Sequence, residues 1–176
     1  MRTIEHWIGG STSAGRSSRR GKVWNPATGE QQAEVLLASS TDVDAAVQAA
    51  SSAFDDWSQA SLSRRTSVLF AFREIVNARI DEIAEAISDE HGKVVSDAKG
   101  EVQRGLEVVE FACGIPHLLR GDFTDSVGRG IDSWSLRQPL GVCVGITPFN
   151  FPVMVPLWMA PLAIACGNTF VLKPSE

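Results

Sequence analysis

Apolar residues recur through the middle of the chain at alternating intervals of four and three positions, the spacing of one face of an α-helix. From this pattern we predict three helices. The first opens at Thr41, with Asp44 as an acidic variant of the capping box. The second extends from about 61 to 92 and bends near 77 to 81, and the third extends from about 96 to 119. Their apolar stripes are expected to be core: Val43, Val47, Ala50, Phe54 and Trp57, then Val68, Leu69, Phe72, Ile75, Val76, Ile80, Ile83 and Ile87, then Val102, Leu106, Val109 and Cys113.

The two ends of the chain have the pattern of strands and turns. Residues 3 to 35 are predicted to form short strands, including a hairpin in KVWNPATGEQQAEVLL, and a further hairpin is predicted within 123 to 143. The apolar strand LGVCVGIT, the apolar helix PVMVPLWMAPLAIAC and the strand of GNTFVLKPSE then follow in order. A strand–helix–strand unit indicates an α/β fold with a parallel sheet and a right-handed crossover. Two strands with apolar faces do not complete such a sheet.

Composition and charge exclude several classes of protein. Of the 176 residues, 44% are apolar and 21% are charged, which is typical of a globular domain. The net charge of −5 argues against nucleic-acid binding, and the basic stretch GRSSRRGK is interpreted as a solvated turn. The start has no signal-peptide pattern, and the longest apolar run contains three prolines and is too short to span a membrane. We therefore expect no membrane partner and a cytoplasmic location.

Three cysteines, at positions 113, 143 and 166, form neither a disulfide framework nor a zinc pattern. They lie in apolar contexts and are interpreted as structural thiols. Cys113 and His117 are four residues apart, as two metal ligands on a helix would be, but no other ligand is near and Pro116 intervenes. We therefore expect no metal site.

The stretch GITPFNFP, at 145 to 152, contains one polar amide, Asn150, between Pro148 and Pro152. The preceding strand is predicted to end at Thr147, and Pro152 suits the first position of the next helix. Asn150 is thus expected where ligands bind in open α/β sheets, at the carboxyl end of a strand. Two interpretations remain open: its amide donates to a developing oxyanion, or it caps the helix.

Two cations are further candidates. Lys173 follows an apolar strand and could bind a phosphate or a ribose hydroxyl, with Glu176 accepting from a hydroxyl; the alternative is a surface ion pair. Arg104, a helix residue beside a glycine, has room to hold a carboxylate in bidentate fashion. The alternative is a solvated arginine paired with Glu101 or Glu107.

The motifs NPATGE, GITPFNFP and ACGNTFVLKPSE, in this order, resemble the aldehyde dehydrogenase superfamily. The resemblance covers essentially the whole chain, which corresponds to about the first third of a full-length member. Most members have tryptophan before the asparagine. Phe149 at that position, together with RGLEVVEFA and PLWMAPLAIACGNTF, resembles the CoA-acylating methylmalonate-semialdehyde dehydrogenase branch.

This resemblance implies an α/β fold that is the N-terminal part of the aldehyde dehydrogenase fold. Residues 1–122 would be hairpins and helices of the NAD-binding domain, 123–143 an oligomerisation hairpin, and 144–176 the start of a Rossmann-like NAD-binding sheet. The catalytic domain would lie outside this chain. A homo-oligomer, dimer or tetramer, is implied for the full-length protein.

The resemblance also implies roles for individual residues. Thr147 and Phe149 match positions whose backbone lies along the nicotinamide end of NAD, and Lys173 and Glu176 match the pair that holds the adenosine ribose. Asn150 would donate its amide to the oxygen of a thiohemiacetal intermediate. Arg104 matches one of two arginines that bind the substrate's carboxylate, and the second arginine would lie beyond position 176.

In the implied reaction a cysteine thiolate attacks the aldehyde of malonate or methylmalonate semialdehyde, and hydride then passes to NAD, which leaves an acyl thioester. Coenzyme A then takes the acyl group and the carboxyl is lost, giving acetyl-CoA or propionyl-CoA. The nucleophilic cysteine would lie beyond position 176, so the chain alone is expected to be inactive. The alternatives are a semialdehyde dehydrogenase that hydrolyses its thioester, and a helical interaction module without catalysis.

Overall fold

The computed structural model describes residues 1–175. The N-terminal segment forms five short strands: β1 (Arg2–Ile4), β2 (His6–Ile8), β3 (Ser11–Ser13), β4 (Arg20–Trp24) and β5 (Gln31–Leu36). Strands β4 and β5 are antiparallel, which confirms the predicted hairpin, and β1 pairs parallel to β5 on its other side. Strands β2 and β3 form a separate hairpin around two glycines with positive φ.

Five helices and four more strands follow. The helices are α1 (Ser40–Gln59), α2 (Leu62–Ala78), α3 (Ile80–His91), α4 (Val95–Cys113) and α5 (Met154–Ala165). The strands are β6 (Phe123–Gly128), β7 (Ile131–Trp134), β8 (Val142–Ile146) and β9 (Thr169–Lys173). Within residues 1–175, no helix combines the length and the apolar character needed to cross a bilayer.

Helix α1 begins earlier than its predicted start at Thr41. Ser39 is the N-cap residue, and its hydroxyl accepts from the backbone N–H of Asp42 while that carboxylate accepts from the backbone N–H of Ser39. The Ser39 hydroxyl also donates to the Asp42 carboxylate, and this bond, together with the one from the Ser39 N–H, holds the pKa of Asp42 below its ordinary value. The capping box therefore uses Ser39 and Asp42, not Thr41 and Asp44, because the helix begins about two residues earlier than the apolar stripe suggests.

The predicted second helix is divided. Its bend is a break at Arg79, whose backbone (φ −111°, ψ 20°) leaves the helical region and ends α2 before α3 begins. The predicted third helix also ends early, at Cys113, and continues as a single 3-10 turn (Ile115–His117). Pro116 explains this ending, since it has no N–H for an α-helical hydrogen bond and its ring clashes with the preceding turn.

Gly92 ends α3 in the left-handed conformation, with φ +83°, and a Cβ added there would lie 2.8 Å from Cγ of Pro26. We expect Gly92→Ala to lower the free energy of unfolding measured in urea by more than Gly29→Ala does. Gly29 has φ +74° and open space around it, so its substitution reports the left-handed backbone cost alone, about 1–2 kcal/mol. Equal losses for the two variants would show that the Pro26 contact relaxes freely.

The main core lies between α2, α3, α4 and the start of α5. Helix α4 contributes the predicted inner face, and Val102, Leu106, Val109 and Cys113 are all buried. Gly105 of α4 faces α5, because a Cβ added there would lie 2.5 Å from Cδ1 of Leu157. This glycine thus allows close packing of α4 on α5. The space beside Arg104 that the sequence suggested for a carboxylate is occupied by a leucine.

The predicted core stripes of α1 and α2 are only partly buried. Val43, for example, is 51% exposed and Ile75 is 57% exposed. The exposed members of the two stripes are Val43, Val47, Val68, Phe72 and Ile75. An apolar stripe identifies the face of a helix that is expected to be buried. The described residues pack against only the inner half of this face in α1 and in α2.

The β8–α5–β9 unit confirms the predicted strand–helix–strand order. Strands β8 and β9 are parallel, with Val142 opposite Thr169 and Ile146 opposite Lys173. Helices α1 and α5 both contact this pair, and the indole N–H of Trp57 donates to the Ile164 carbonyl at 3.0 Å. The hairpin predicted within 123 to 143 is formed by β6 and β7.

Candidate functional site

The segment between β8 and α5 carries Asn150. Helix α5 begins at Met154, two residues later than the predicted start at Pro152. Its N-cap residue is Val153, whose apolar side chain makes no capping hydrogen bond. Asn150 is therefore not the N-cap of α5, and its exposed side chain lies on the segment that leads from the carboxyl end of β8 into the helix. The interpretation as a structural cap does not apply.

The N-terminus of α5 is instead satisfied by Glu101 of α4. One carboxylate oxygen, Oε1, accepts from the backbone N–H of Val153 at 2.8 Å and from that of Met154 at 3.1 Å. The other oxygen, Oε2, accepts from Nζ of Lys93 at 2.5 Å. A carboxylate at a helix N-terminus also meets the positive end of the helix dipole. Glu101 has no exposed surface, so these three donors replace its water shell.

Sequence reasoning missed this role and considered Glu101 only as a partner for Arg104. The sequence signal that could have predicted this role was the position of Glu101 on α4. Glu101 lies one residue before buried Val102 and four before Gly105, so it falls on the face of α4 that packs against α5. A carboxylate on a buried face needs a partner. Nothing in the local pattern identified Lys93 as that partner.

Burial raises the pKa of Glu101, but the hydrogen bonds from Lys93 and from the N–H groups of Val153 and Met154 outweigh it, and the folded pKa lies below the ordinary 4.5. The stability contributed by this carboxylate is thus fully present above about pH 4.5 and is lost as the pH falls through the lower folded value. We expect the difference in free energy of unfolding between wild type and Glu101→Gln, measured in urea, to be largest near pH 7 and to shrink below pH 4.5. A difference that is independent of pH would contradict this assignment.

Lys93 joins this ion pair to Asn150. Its ammonium donates to the backbone carbonyl of Asn150 at 3.0 Å and lies 4.7 Å from the ring centroid of Phe151, within cation–π range. The neighbouring His91 ring stacks on the Phe149 ring, with centroids 4.9 Å apart and planes inclined by 27°. The corner between α3 and α4 thus contacts three consecutive residues of the segment before α5.

Arg104 lies on the same side of α4 as this corner. Its guanidinium carbon is 5.6 Å from the Phe151 ring centroid, and its Nε donates to the Met154 sulfur at 3.4 Å. Among the described residues it pairs with neither Glu101 nor Glu107, which removes the alternative interpretation as a paired helix arginine. The side chain borders an open cleft of about 370 Å³ lined by Lys93, Ser96, Asp97, Gly100, Arg104 and Phe151. A larger depression of about 920 Å³ is lined by a different set of residues, mainly of α2 and the end of α4.

The other predicted positions lie at the carboxyl ends of β8 and β9. Thr147 is buried, and both its N–H and its hydroxyl donate to the Lys173 carbonyl, at 3.2 and 3.4 Å. These bonds bring Thr147 and Lys173 together at one edge of the parallel pair. Phe149 is 46% exposed beyond that edge. The predicted position Glu176 lies outside the described residues.

Cys113 and Cys166 are not activated as nucleophiles. Burial and the nearby Glu110 carboxylate raise the pKa of Cys113, and burial raises the pKa of Cys166. A raised pKa favours the neutral thiol, whereas a nucleophilic cysteine needs a thiolate. Within residues 1–175, no three His, Cys, Asp or Glu side chains lie close enough together to hold a metal ion.

The chain that carries this edge and this arginine cleft matches a known class of proteins. The model of the aldehyde dehydrogenase family matches residues 13–176, and the chain belongs to that family.

Among its relatives, the malonate-semialdehyde dehydrogenase 1 of Geobacillus kaustophilus is 50% identical over 173 residues, which are 98% of this chain and 36% of that protein. The solved methylmalonate-semialdehyde dehydrogenase of Oceanimonas doudoroffii is 53% identical, with a TM-score of 0.97 over all of this chain and 36% of that one. A protein of Sinorhizobium meliloti 1021 described as a methylmalonate-semialdehyde dehydrogenase, solved in complex with NAD, is 49% identical with the same TM-score and coverage. The chain thus spans about a third of the length of the relatives that it matches.

Proposed function

We propose that this chain is the N-terminal part of an NAD-dependent, CoA-acylating dehydrogenase of malonate or methylmalonate semialdehyde. The observation that carries the proposal is the position of Arg104 against Phe151, the residue next to Asn150. A cation that can bind the substrate's carboxylate and an amide that can bind its carbonyl oxygen thus lie on adjacent parts of one surface. The names of the relatives support the same substrate class.

Asn150 would be the oxyanion donor. Its side chain is exposed beside the carboxyl end of β8 and is not engaged in capping α5. When a thiolate attacks the aldehyde, negative charge develops on the former carbonyl oxygen, and a preoriented amide N–H stabilises that charge more than it stabilises the neutral aldehyde. The amide therefore lowers the barrier to attack.

Arg104 would bind the carboxylate at the other end of the substrate. Its guanidinium carries a permanent charge, borders the open cleft and is shared with no carboxylate among the described residues. Phe151 lies beneath it, so the aromatic face limits the positions that the guanidinium can occupy. A carboxylate bound here would leave the aldehyde end of the substrate free to reach Asn150.

The edge formed by β8 and β9 fits NAD, whose site in open parallel sheets lies at the carboxyl ends of the strands. The Thr147 and Phe149 backbone would line the nicotinamide end, and Lys173, with Glu176, would hold the adenosine ribose. The bonds from Thr147 to the Lys173 carbonyl keep the two strand ends together, which supports a shared site. NAD supplies the hydride acceptor when it is bound.

The nucleophile would come from residues outside this chain, because burial raises the pKa of Cys113 and of Cys166, and Cys143 lies within strand β8. Residues 1–176 alone are therefore expected to be inactive. The intact enzyme, meaning the polypeptide that carries this chain together with the catalytic part found in its relatives, would be a homo-oligomer. Strands β6 and β7 support this, since they expose the side chains of Phe123, Val127, Ile131 and Trp134.

Product analysis of the intact enzyme tests the proposed reaction. With methylmalonate semialdehyde and NAD, we expect propionyl-CoA to accumulate in step with NADH only when coenzyme A is present. The control is succinate semialdehyde, which has one more carbon between its two functional groups than malonate semialdehyde. A free dicarboxylic acid formed at the same rate with and without coenzyme A would instead indicate a hydrolysing semialdehyde dehydrogenase.

A further inference from the structure

We infer that Lys93 and Glu101 are positioning residues that set the orientation of Asn150 for oxyanion binding. The inference rests on the proposed function of Asn150. Neither side chain would touch the substrate. Together they hold the backbone on the C-terminal side of Asn150, from its own carbonyl to the first N–H groups of α5.

The two side chains bind the backbone at three points between residues 150 and 154. Lys93 donates to the carbonyl of Asn150, and Glu101 accepts from the N–H groups of Val153 and Met154. The segment between these points is two residues long and contains Pro152, whose φ is fixed. Little freedom is left in the backbone from residue 150 to residue 154, so the peptide group that follows Asn150, and with it the Cα of Asn150, is held in place.

The linkage between the two anchors is rigid because it is buried. Glu101 has no exposed surface and Lys93 retains 12% of its side-chain surface. Oε1 of Glu101 serves the helix and Oε2 serves Lys93, so both carboxylate oxygens are used. Rotation of the carboxylate would break both sets of bonds together. The ammonium of Lys93 is held from a further side by the Phe151 ring.

Stability alone does not account for a buried Lys93–Glu101 ion pair at the N-terminus of α5. A buried ion pair is weak evidence for stability, since well-packed apolar residues of similar volume often stabilise a fold as much. Apolar side chains could not, however, bind the carbonyl of Asn150 or the first N–H groups of α5. The ion pair holds these backbone groups at defined distances, and an oxyanion donor needs that preorganisation.

The test uses four variants of the intact enzyme: Lys93→Met, Lys93→Met combined with Glu101→Gln, Asn150→Ala, and the control Lys99→Met. Lys99 lies six residues further along, and its ion pair with Asp81 is exposed. The readouts are the single-turnover rate of NADH formation, the KM for NAD and the melting temperature. Single turnovers isolate the oxidation step from the later release of the acyl group.

We expect Lys93→Met to lower the single-turnover rate about 10- to 100-fold, the range that a small misplacement of a catalytic group produces. The KM for NAD stays within twofold, and Lys99→Met matches wild type. The melting temperature falls in Lys93→Met because a buried carboxylate loses its partner. In the double variant it recovers, because no buried charge remains, while the rate stays low because the Asn150 carbonyl still lacks its donor.

Two results would overturn the inference: a rate within twofold of wild type in Lys93→Met, or a rate in the double variant that recovers together with the melting temperature. If Lys93→Met fails to fold, the double variant decides alone. Asn150→Ala separates this inference from the proposed function. If Asn150→Ala is as fast as wild type, the oxyanion role itself fails. If only Asn150→Ala is slow, the oxyanion role stands and the positioning role fails.

Discussion

In the intact enzyme, Asn150→Ala is expected to lower the rate of NADH formation by about 10²–10³-fold, the loss typical for removal of one oxyanion donor. The amide contributes only where negative charge develops, so the KM for the aldehyde changes little. The melting temperature also stays near that of wild type, because the side chain is exposed and caps no helix. Transient kinetics and thermal unfolding measure the two quantities.

Two asparagines provide matched controls for this experiment. Asn77 is exposed on α2, and Asn77→Ala should leave both rate and melting temperature unchanged. Asn168 is buried, and its side-chain oxygen accepts from the N–H groups of Leu140 and Gly141, at 2.6 and 3.1 Å. Asn168→Ala should therefore lower the melting temperature. Undiminished turnover in Asn150→Ala would remove the oxyanion role and the mechanism that depends on it.

Arg104→Leu is expected to reduce kcat/KM for methylmalonate semialdehyde about 10- to 100-fold. This corresponds to the loss of a hydrogen-bonded contact to a charged group, about 1.5–3 kcal/mol. Propanal has the same aldehyde end without the carboxylate, so it cannot make the contact with Arg104. Its kcat/KM should therefore change by less than about threefold, which corresponds to roughly one quarter of the free energy of the charged contact. Steady-state kinetics on the two aldehydes measures the difference directly.

The control for this prediction is Arg64→Leu, which removes an exposed arginine from the first turn of α2. It has the same change in net charge, so it reports any general effect of charge on the binding of an anionic substrate. We expect it to affect both aldehydes by less than twofold, as exposed charges contribute little. Equal losses on both aldehydes in Arg104→Leu would exclude the carboxylate-binding role.

Local patterns predicted the elements whose signals are contained in a short stretch. The β8–α5–β9 order followed from two apolar strands around an apolar helix, and the inner face of α4 followed from its helical periodicity. The predictions were less accurate at the break at Arg79, which was expected as a bend, and at the N-cap of α1, which is Ser39 and was expected at Thr41. Element boundaries depend on which of several competing hydrogen bonds forms, and several serines and threonines near position 40 offered similar caps.

The sequence predicted which residues could carry the chemistry, but not how they are arranged in space. Asn150 and Arg104 were selected as residues that could bind a substrate, and the structure packs Arg104 against Phe151, the residue that follows Asn150. The structure also removed one alternative for each, since Asn150 does not cap α5 and Arg104 has no carboxylate partner among residues 1–175. The roles themselves remain proposals that the kinetic experiments test.

The sequence by itself determined the kinds of element, the family, and the single amide placed between two prolines. Only the tertiary structure decided how that amide is held. Glu101 lies 52 residues before Val153, and Lys93 lies 57 residues before Asn150. A hydrogen bond between groups so distant in the chain leaves no periodic signal in the sequence, because it forms only after α4 has packed against α5 and the buried carboxylate has met its donors.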